Sequence, residues 1–222
     1  MPTGKLFIVA TPIGNLADMT FRAIETLKSV DLILCEDTRV TKNLLDRYEI
    51  KTPTMSYHQH SDARRVKEIV QMLADGKNIA LVTDAGTPGI SDPGNMLVKE
   101  LIKREVQIVP IPGPSAVVAA LSVSGFPTDR FTFLGFPPHK NKRQKYFKEL
   151  AAIENTVVFY ESGHRIQKCL GELQEVLVQD RGLVICRELT KKFETLYRTT
   201  ARKLSELTMD ERGEFVIVIN AL

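Results

Sequence analysis

Thr83-Asp-Ala-Gly-Thr-Pro-Gly-Ile-Ser-Asp-Pro-Gly94 stands directly after the apolar run Asn78–Val82. Three glycines, two prolines and two aspartates in twelve positions cannot continue a strand or build a regular helix. The stretch still has a fixed shape, because Pro restricts φ and Gly reaches the angles Pro forbids. A rigid, backbone-rich loop at the end of a buried strand is where an open α/β sheet binds small ligands. Two comparable loops follow other apolar runs: Ala10-Thr-Pro-Ile-Gly-Asn15 after Lys5–Val9, and Pro110-Ile-Pro-Gly-Pro-Ser-Ala116 after Val106–Val109. One such loop alone reads as a tight turn. Three on successive strands of one sheet converge on a shared pocket.

Around these loops the first half of the chain alternates in type. Strands are expected at Lys5–Ala10, Asp31–Cys35, Asn78–Thr83 and Gln107–Ile111, nearly continuous Val, Ile and Leu as in parallel strands covered on both faces. Helices are expected between them: Phe21, Ile24 and Leu27 recur at three, and Val66, Ile69, Val70 and Leu73 form one apolar face. Asp92-Pro93 reads as a helix start, with Asp capping, Pro in the first turn, and Met96, Leu97 and Leu101 toward the core. The βαβ rhythm implies a parallel sheet with right-handed crossovers. The second half offers strands at Phe131–Gly135, Thr156–Tyr160, Gly182–Cys186 and Glu214–Ile219, a helix near Arg165–Val178 and another near Lys140–Ile153. The expected organisation is therefore α/β in two domains, residues 1–113 and 114–222, with a parallel sheet in the first and a mixed sheet in the second.

The 222 residues carry a net charge of +3, 43% hydrophobic and 26% charged residues, as in a soluble globular protein. So mild a basic excess permits a polyanionic partner without requiring one. Cys35, Cys169 and Cys186 form no C-x-x-C pair and read as buried, reduced thiols of a cytoplasmic protein. No run approaches the roughly 20 apolar residues of a membrane span, and Leu6–Ala10 is too short for a signal peptide.

Other segments carry candidate chemistry. Cys35-Glu-Asp-Thr-Arg-Val-Thr-Lys42 ends a strand, which sets Glu36, Asp37, Arg39 and Lys42 at the edge where the loops gather; as a bare pattern it is also a solvated turn with an internal ion pair. His58 and His60 in Tyr57-His-Gln-His60 would share one face of a strand, but no third ligand stands at suitable spacing, so no metal is expected. Lys140-Asn-Lys-Arg-Gln-Lys-Tyr-Phe-Lys148 places five cations beside two aromatics, suited to phosphate contact and base stacking and equally to a solvated helix face. Neither G-x-G-x-x-G after the first strand nor G-x-x-x-x-G-K-[ST] occurs, so the residues alone support a small-molecule pocket without naming its ligand.

Leu6-Phe-Ile-Val-Ala-Thr-Pro-Ile-Gly-Asn-Leu-Ala-Asp18, Cys35-Glu-Asp-Thr-Arg39, Asp84-Ala-Gly-Thr-Pro-Gly-Ile-Ser-Asp-Pro-Gly94 and Pro110-Ile-Pro-Gly-Pro-Ser-Ala116 together resemble the ribosomal RNA small-subunit methyltransferase I family, of the tetrapyrrole methylase superfamily. Leu134-Gly-Phe-Pro-Pro138, Phe159-Tyr-Glu-Ser162 and Arg187-Glu-Leu-Thr-Lys191 extend the resemblance in order along the chain. The resemblance implies two α/β domains with a ligand cleft between them, S-adenosylmethionine without metal, a homodimer, and 2′-O-methylation of a cytidine ribose in the decoding region of small-subunit (16S) ribosomal RNA. Carried over position by position, cofactor contacts fall on Pro12, Asp84, Ala85, Gly86, Thr87, Ile90, Ser115, Ala116, Glu161 and Leu189. The basic segments themselves, and not the resemblance, set the expected RNA contacts at Arg39, Lys42, Lys142, Arg143, Arg187 and Lys191. Two departures stand out. Members usually read Glu-Ser-Pro-His-Arg where Gly163 here precedes His164, which is expected to loosen one turn; and members continue into a small basic domain beyond the last strand, whereas this sequence runs to Leu222.

Methyl transfer from a sulfonium needs chiefly alignment, but a ribose hydroxyl must also lose its proton. Asp37 and Glu36 are the expected acceptors. Two other readings stay open: a methylase of a small molecule such as a tetrapyrrole, which the charged Glu36–Lys42, Arg187–Lys191 and Lys140–Lys148 segments oppose, and a non-catalytic ligand-binding module.

Overall fold

A computed structural model describes residues 4–58 and 63–222, in two units, Met1–Ser115 and Ala116–Leu222. The division follows Ser115, directly after the Pro112-Gly-Pro114 cluster.

Unit 1 runs β1 (Leu6–Val9), α1 (Phe21–Ser29), β2 (Leu32–Cys35), α2 (Thr38–Arg47), β3 (Thr54–Ser56), α3 (Ala63–Ala74), β4 (Ile79–Leu81), α4 (Asn95–Ile102) and β5 (Ile108–Ile111). Its five strands pair in parallel in the order β3-β2-β4-β1-β5. Strand residues alternate between two apolar layers, as period-two geometry requires. Val9, Ile33, Ala80 and Val82 pack with Ala23 and Leu27 of α1 and Leu44 and Leu45 of α2. Leu6, Leu34, Ile79 and Leu81 pack with Ile69 and Leu73 of α3 and Leu97 and Leu101 of α4. Covering on both faces is why these strands read as unbroken apolar runs.

Unit 2 runs α5 (Ala116–Ser124), β6 (Phe131–Phe133), α6 (Arg143–Ala151), β7 (Thr156–Ser162), α7 (Gly163–Val176), β8 (Gly182–Arg187), β9 (Thr195–Thr200) and β10 (Glu214–Ile219). The sheet order is β6-β7-β10-β8-β9, parallel only between β6 and β7, so the sheet is mixed as expected. Phe147, Phe159, Ile166, Leu170, Leu173 and Ile217 fill the layer under α6 and α7. Val158, Val184, Cys186 and Val218 meet the apolar helix α5 on the other face. All three cysteines are free and buried, and burial pushes the Cys186 thiol up to about 12.

Several expectations change. Asp92 does not cap α4: the cap is Gly94 at φ 137°, with Asp92 two residues upstream. The helix thereby turns Leu97 and Leu101 inward but leaves Met96 71% exposed, not in the core. The solvated-turn reading of Glu36–Lys42 gives way to a helix start, since α2 begins at Thr38 with Asp37 as its cap. The short edge strands β3 and β9 go beyond the strands expected, because half-exposed strands lack a continuous apolar run. His58 follows β3 outside it, and His60 lies outside the described residues.

Gly163 does the opposite of loosening a turn. Its N–H donates to the Gly213 carbonyl at 3.0 Å, and a Cβ there would stand 2.2 Å from the Glu211 carbonyl oxygen. The residue lets the Glu211–Gly213 segment lie directly on the start of α7. A Cβ added at Gly171, further along α7, would meet nothing within 4 Å. The two glycines of one helix therefore predict opposite outcomes. In thermal melts Gly163→Ala should cost about 1–3 kcal/mol by overpacking, and Gly171→Ala should gain about 0.5–1 kcal/mol from helix propensity. Equal effects of the two substitutions would contradict the close approach.

Candidate functional site

The three loops after β1, β4 and β5 meet at one sheet edge. Thr11 and Gly86 form an antiparallel bridge, Thr11 N–H to Gly86 O at 2.8 Å and Gly86 N–H to Thr11 O at 3.1 Å. The Thr11 hydroxyl, buried, donates to the Thr83 carbonyl at 2.9 Å. Gly113 of the third loop lies so close to the first that a Cβ would be 3.0 Å from that of Ala10. The long loop is braced internally: Gly89 N–H donates to Pro93 O, Ile90 N–H to Thr87 O, and Asn95 Nδ2 to Gly89 O. Gly86 and Gly89 hold φ of 83° and 84°, which only glycine adopts freely. Of the cofactor candidates here, Pro12 and Gly86 are buried, Thr87 is half-buried, and Asp84, Ala85 and Ile90 are exposed.

Four carboxylates gather at this edge. Asp84 accepts from the Asp37 N–H at 3.4 Å, which ties the end of β4 to the start of α2. Asp37 itself is occupied: it accepts from the Arg39 N–H at 2.8 Å, Arg39 Nε at 3.1 Å and Arg39 Nη2 at 2.6 Å. Those bonds hold its carboxyl low, at about 2. The other three move upward. Burial and the Asp84 charge raise Glu36; burial and the Asp37 charge raise Asp84. Burial, with the Glu36 and Asp84 charges behind it, pushes Asp92 up to about 6. The Thr83 hydroxyl sits between Glu36 and Asp92 and moderates both. It is 4% exposed, and among the described residues no partner satisfies it with full hydrogen-bond geometry. The sequence pattern assigns Asp92 to a helix cap and gives Thr83 no role. The signal for Thr83 is its position just after a buried strand, and for Asp92 its place in the Gly/Pro-rich loop that follows. Among the described residues no set of three His, Cys, Asp or Glu side chains is placed to hold a metal ion.

Unit 2 treats its candidates differently. Glu161 is 0% exposed, and its carboxylate is surrounded by Arg165 at 2.7 Å, Arg143 at 3.2 Å and the Ser162 N–H at 2.8 Å. Its side chain is engaged by donors from within unit 2. Arg143, expected on the surface, is 4% exposed and also pairs with Glu172 at 2.8 Å. Arg187 is buried against Asp210 and the carbonyls of Arg212 and Phe193. Lys191 is half-buried between Glu188 and Glu214. All three have carboxylate partners within unit 2. Arg39, Lys42 and Lys142 are exposed, Arg39 in its pair with Asp37. Leu189 and Ala116 pack on the α5 layer, and Ser115 ends unit 1.

Residues 5–205 match the family model of tetrapyrrole (corrin/porphyrin) methylases. The ribosomal RNA small subunit methyltransferase I of Synechocystis sp. is 49% identical over 97% of this chain and 78% of that protein. That of Bacillus subtilis is 47% identical over 97% and 75%. The chain belongs to the ribosomal RNA small subunit methyltransferase I family of tetrapyrrole methylases. A solved diphthine synthase, 13% identical, superposes over 98% of this chain and 90% of its own with a TM-score of 0.75, which speaks for the fold alone.

The raised Asp92 makes stability depend on pH. Its folded pKa of about 6 lies above the free value of 3.8, so folding favours the neutral form. That contribution is complete below about pH 4 and is lost as pH rises through 6. Asp92→Asn, which cannot ionise, should therefore gain on the order of 1 kcal/mol at pH 7.5 after solvent screening, a Tm rise of about 2–4 °C. The gain should vanish at pH 4. A pH-independent Tm difference would refute the burial of an ionised carboxylate.

Proposed function

We propose that this chain transfers a methyl group from S-adenosylmethionine to the 2′-oxygen of a cytidine ribose in small-subunit ribosomal RNA, in the cytoplasm and as a homodimer. What carries the reading is kinship, across nearly the whole chain, to proteins named for small-subunit ribosomal RNA methylation. No described helix is long and apolar enough to cross a membrane.

The residues of unit 1 suit the cofactor. Carboxylates whose charges disfavour one another favour a cationic guest, and S-adenosylmethionine carries a sulfonium and an ammonium. The buried Thr83 hydroxyl beside Glu36 and Asp92 adds a polar group to the same cluster. Pro12, Asp84, Ala85, Gly86, Thr87 and Ile90 would line that guest, while Ser115, Ala116 and Leu189 rest on the family resemblance alone. The bound cofactor supplies an activated methyl group on a good leaving group.

This chain must then hold the ribose hydroxyl in line and accept its proton. Asp37 is spent on Arg39 and the cap of α2. Asp92 is the better acceptor, because a base near the working pH combines the ionised form with proton affinity. Burial, and behind it repulsion from Glu36, keeps Asp92 basic.

Incubation with labelled S-adenosylmethionine and unmethylated small ribosomal subunits should put label into RNA, at a nucleotide resistant to alkaline cleavage because its 2′-oxygen is blocked. Label in a base, or in an added tetrapyrrole and not in RNA, would overturn the reading. In single turnover the rate should rise with pH through a midpoint near the value of about 6 held by Asp92. Asp92→Asn should flatten the profile and cut the rate about 10²–10⁴-fold. Asp37→Asn should stay within a few-fold of the parent chain. A near-normal rate for Asp92→Asn would remove it from the chemistry.

A further inference from the structure

Phe136 is an apolar ring held in water by the anchoring of its loop. It is 51% exposed, yet the segment that carries it is fixed on every side. Leu134 N–H donates to Val158 O at 3.0 Å, and Tyr160 N–H to Gly135 O at 2.8 Å. Immediately after Phe136, Arg165 donates to the Pro137 carbonyl at 3.4 Å and Arg143 to the Pro138 carbonyl at 3.0 Å. Both arginines are fixed in turn by the buried Glu161. The Phe136 ring rests 5.2 Å from that of Tyr160, which also packs edge-on against Phe133 at 5.0 Å. A preordered, half-exposed aromatic loses little conformational entropy when a flat partner lands on it.

The surroundings say what that partner is. Residues 134–148 contain no Asp or Glu. Just past Phe136 an open depression of about 480 Å³ is lined by Lys140, Lys142, Lys145 and Lys168, with the Arg143–Glu172 pair beneath. Among the described residues no ion pair engages Lys140, Lys142 or Lys168. Lys140 is four residues from Phe136, at most about 14 Å along an extended chain. An aromatic face beside unpaired cations is how single-stranded nucleic acid is held, bases stacked and phosphates neutralised. Phe193, 63% exposed, differs: Lys192 covers its face at 5.6 Å, and Glu194 follows it directly.

We propose that Phe136 is a stacking platform for an unpaired base of the RNA substrate, and that Lys140, Lys142 and Lys168 receive the phosphates that flank it. The platform rests on the RNA reading above, and adds the residue that would grip the strand. Neither Arg143 nor Glu161 touches the strand in this arrangement; they hold the platform still.

The chain has no tryptophan, so Phe136→Trp carries a single indole reporter. At low salt, hexacytidylate should quench its fluorescence, and an abasic strand of equal length should not. With assembled small subunits, Phe136→Leu should raise KM about 5- to 150-fold, the range for loss of one stacked base. Its kcat and S-adenosylmethionine affinity should be unchanged, Phe136→Tyr should restore KM, and Phe193→Leu should leave it alone. A normal KM for Phe136→Leu in a chain that methylates subunits, or equal quenching by the abasic strand, would overturn the platform. Failure of the parent chain to label any RNA would instead overturn the RNA reading on which the platform rests.

Discussion

Thr11 and Gly86 exchange backbone hydrogen bonds across the ends of two parallel strands, and the candidate site of unit 1 depends on that bridge. Parallel strands normally part at their carboxyl ends, each feeding its own crossover helix. Here the chain leaving β1 turns back to pair with the chain leaving β4. Gly86 presents both its N–H and its carbonyl to Thr11 from a positive φ, which makes it the hinge of the arrangement. The tied loops bring Asp84 and Asp92 near enough to Glu36 for their charges to disfavour one another.

Unit 2 spends its charge in the opposite way. Around Glu161 the positive and negative groups are matched and buried, and removing one partner of such a cluster typically costs about 3–5 kcal/mol. Its arginines therefore report on folding before they report on RNA. The contrast is one of charge balance: Glu161 has its cations within unit 2, whereas Glu36, Asp84 and Asp92 of unit 1 are raised by burial and by neighbouring carboxylates.

Much of this is legible in the sequence. The strands buried on both faces announce themselves as apolar runs, and loops rich in Gly and Pro after them locate the edge where ligands gather. β3 and β9 are not legible, since an edge strand such as Thr54–Ser56 has one wet face and too few residues to show a period. Neither is the division of labour among charged residues. Nothing in the sequence distinguishes Lys142, exposed at a left-handed φ of 65°, from Arg143 beside it, which turns inward to two carboxylates. Asp92 reads as a cap because Asp-Pro is a frequent helix start, while Gly94, two residues on, takes a backbone angle that Asp adopts only with strain and so becomes the cap.

We propose that the tied loops of unit 1 are where S-adenosylmethionine binds. Amide hydrogen exchange of the whole chain, with and without saturating S-adenosylmethionine, tests this directly. Slowed exchange is expected in 11–15, 83–90 and 111–116 together, because ligand bound to one loop restrains the two tied to it. Protection confined to other segments, or none at a ligand concentration where calorimetry detects binding, would contradict it.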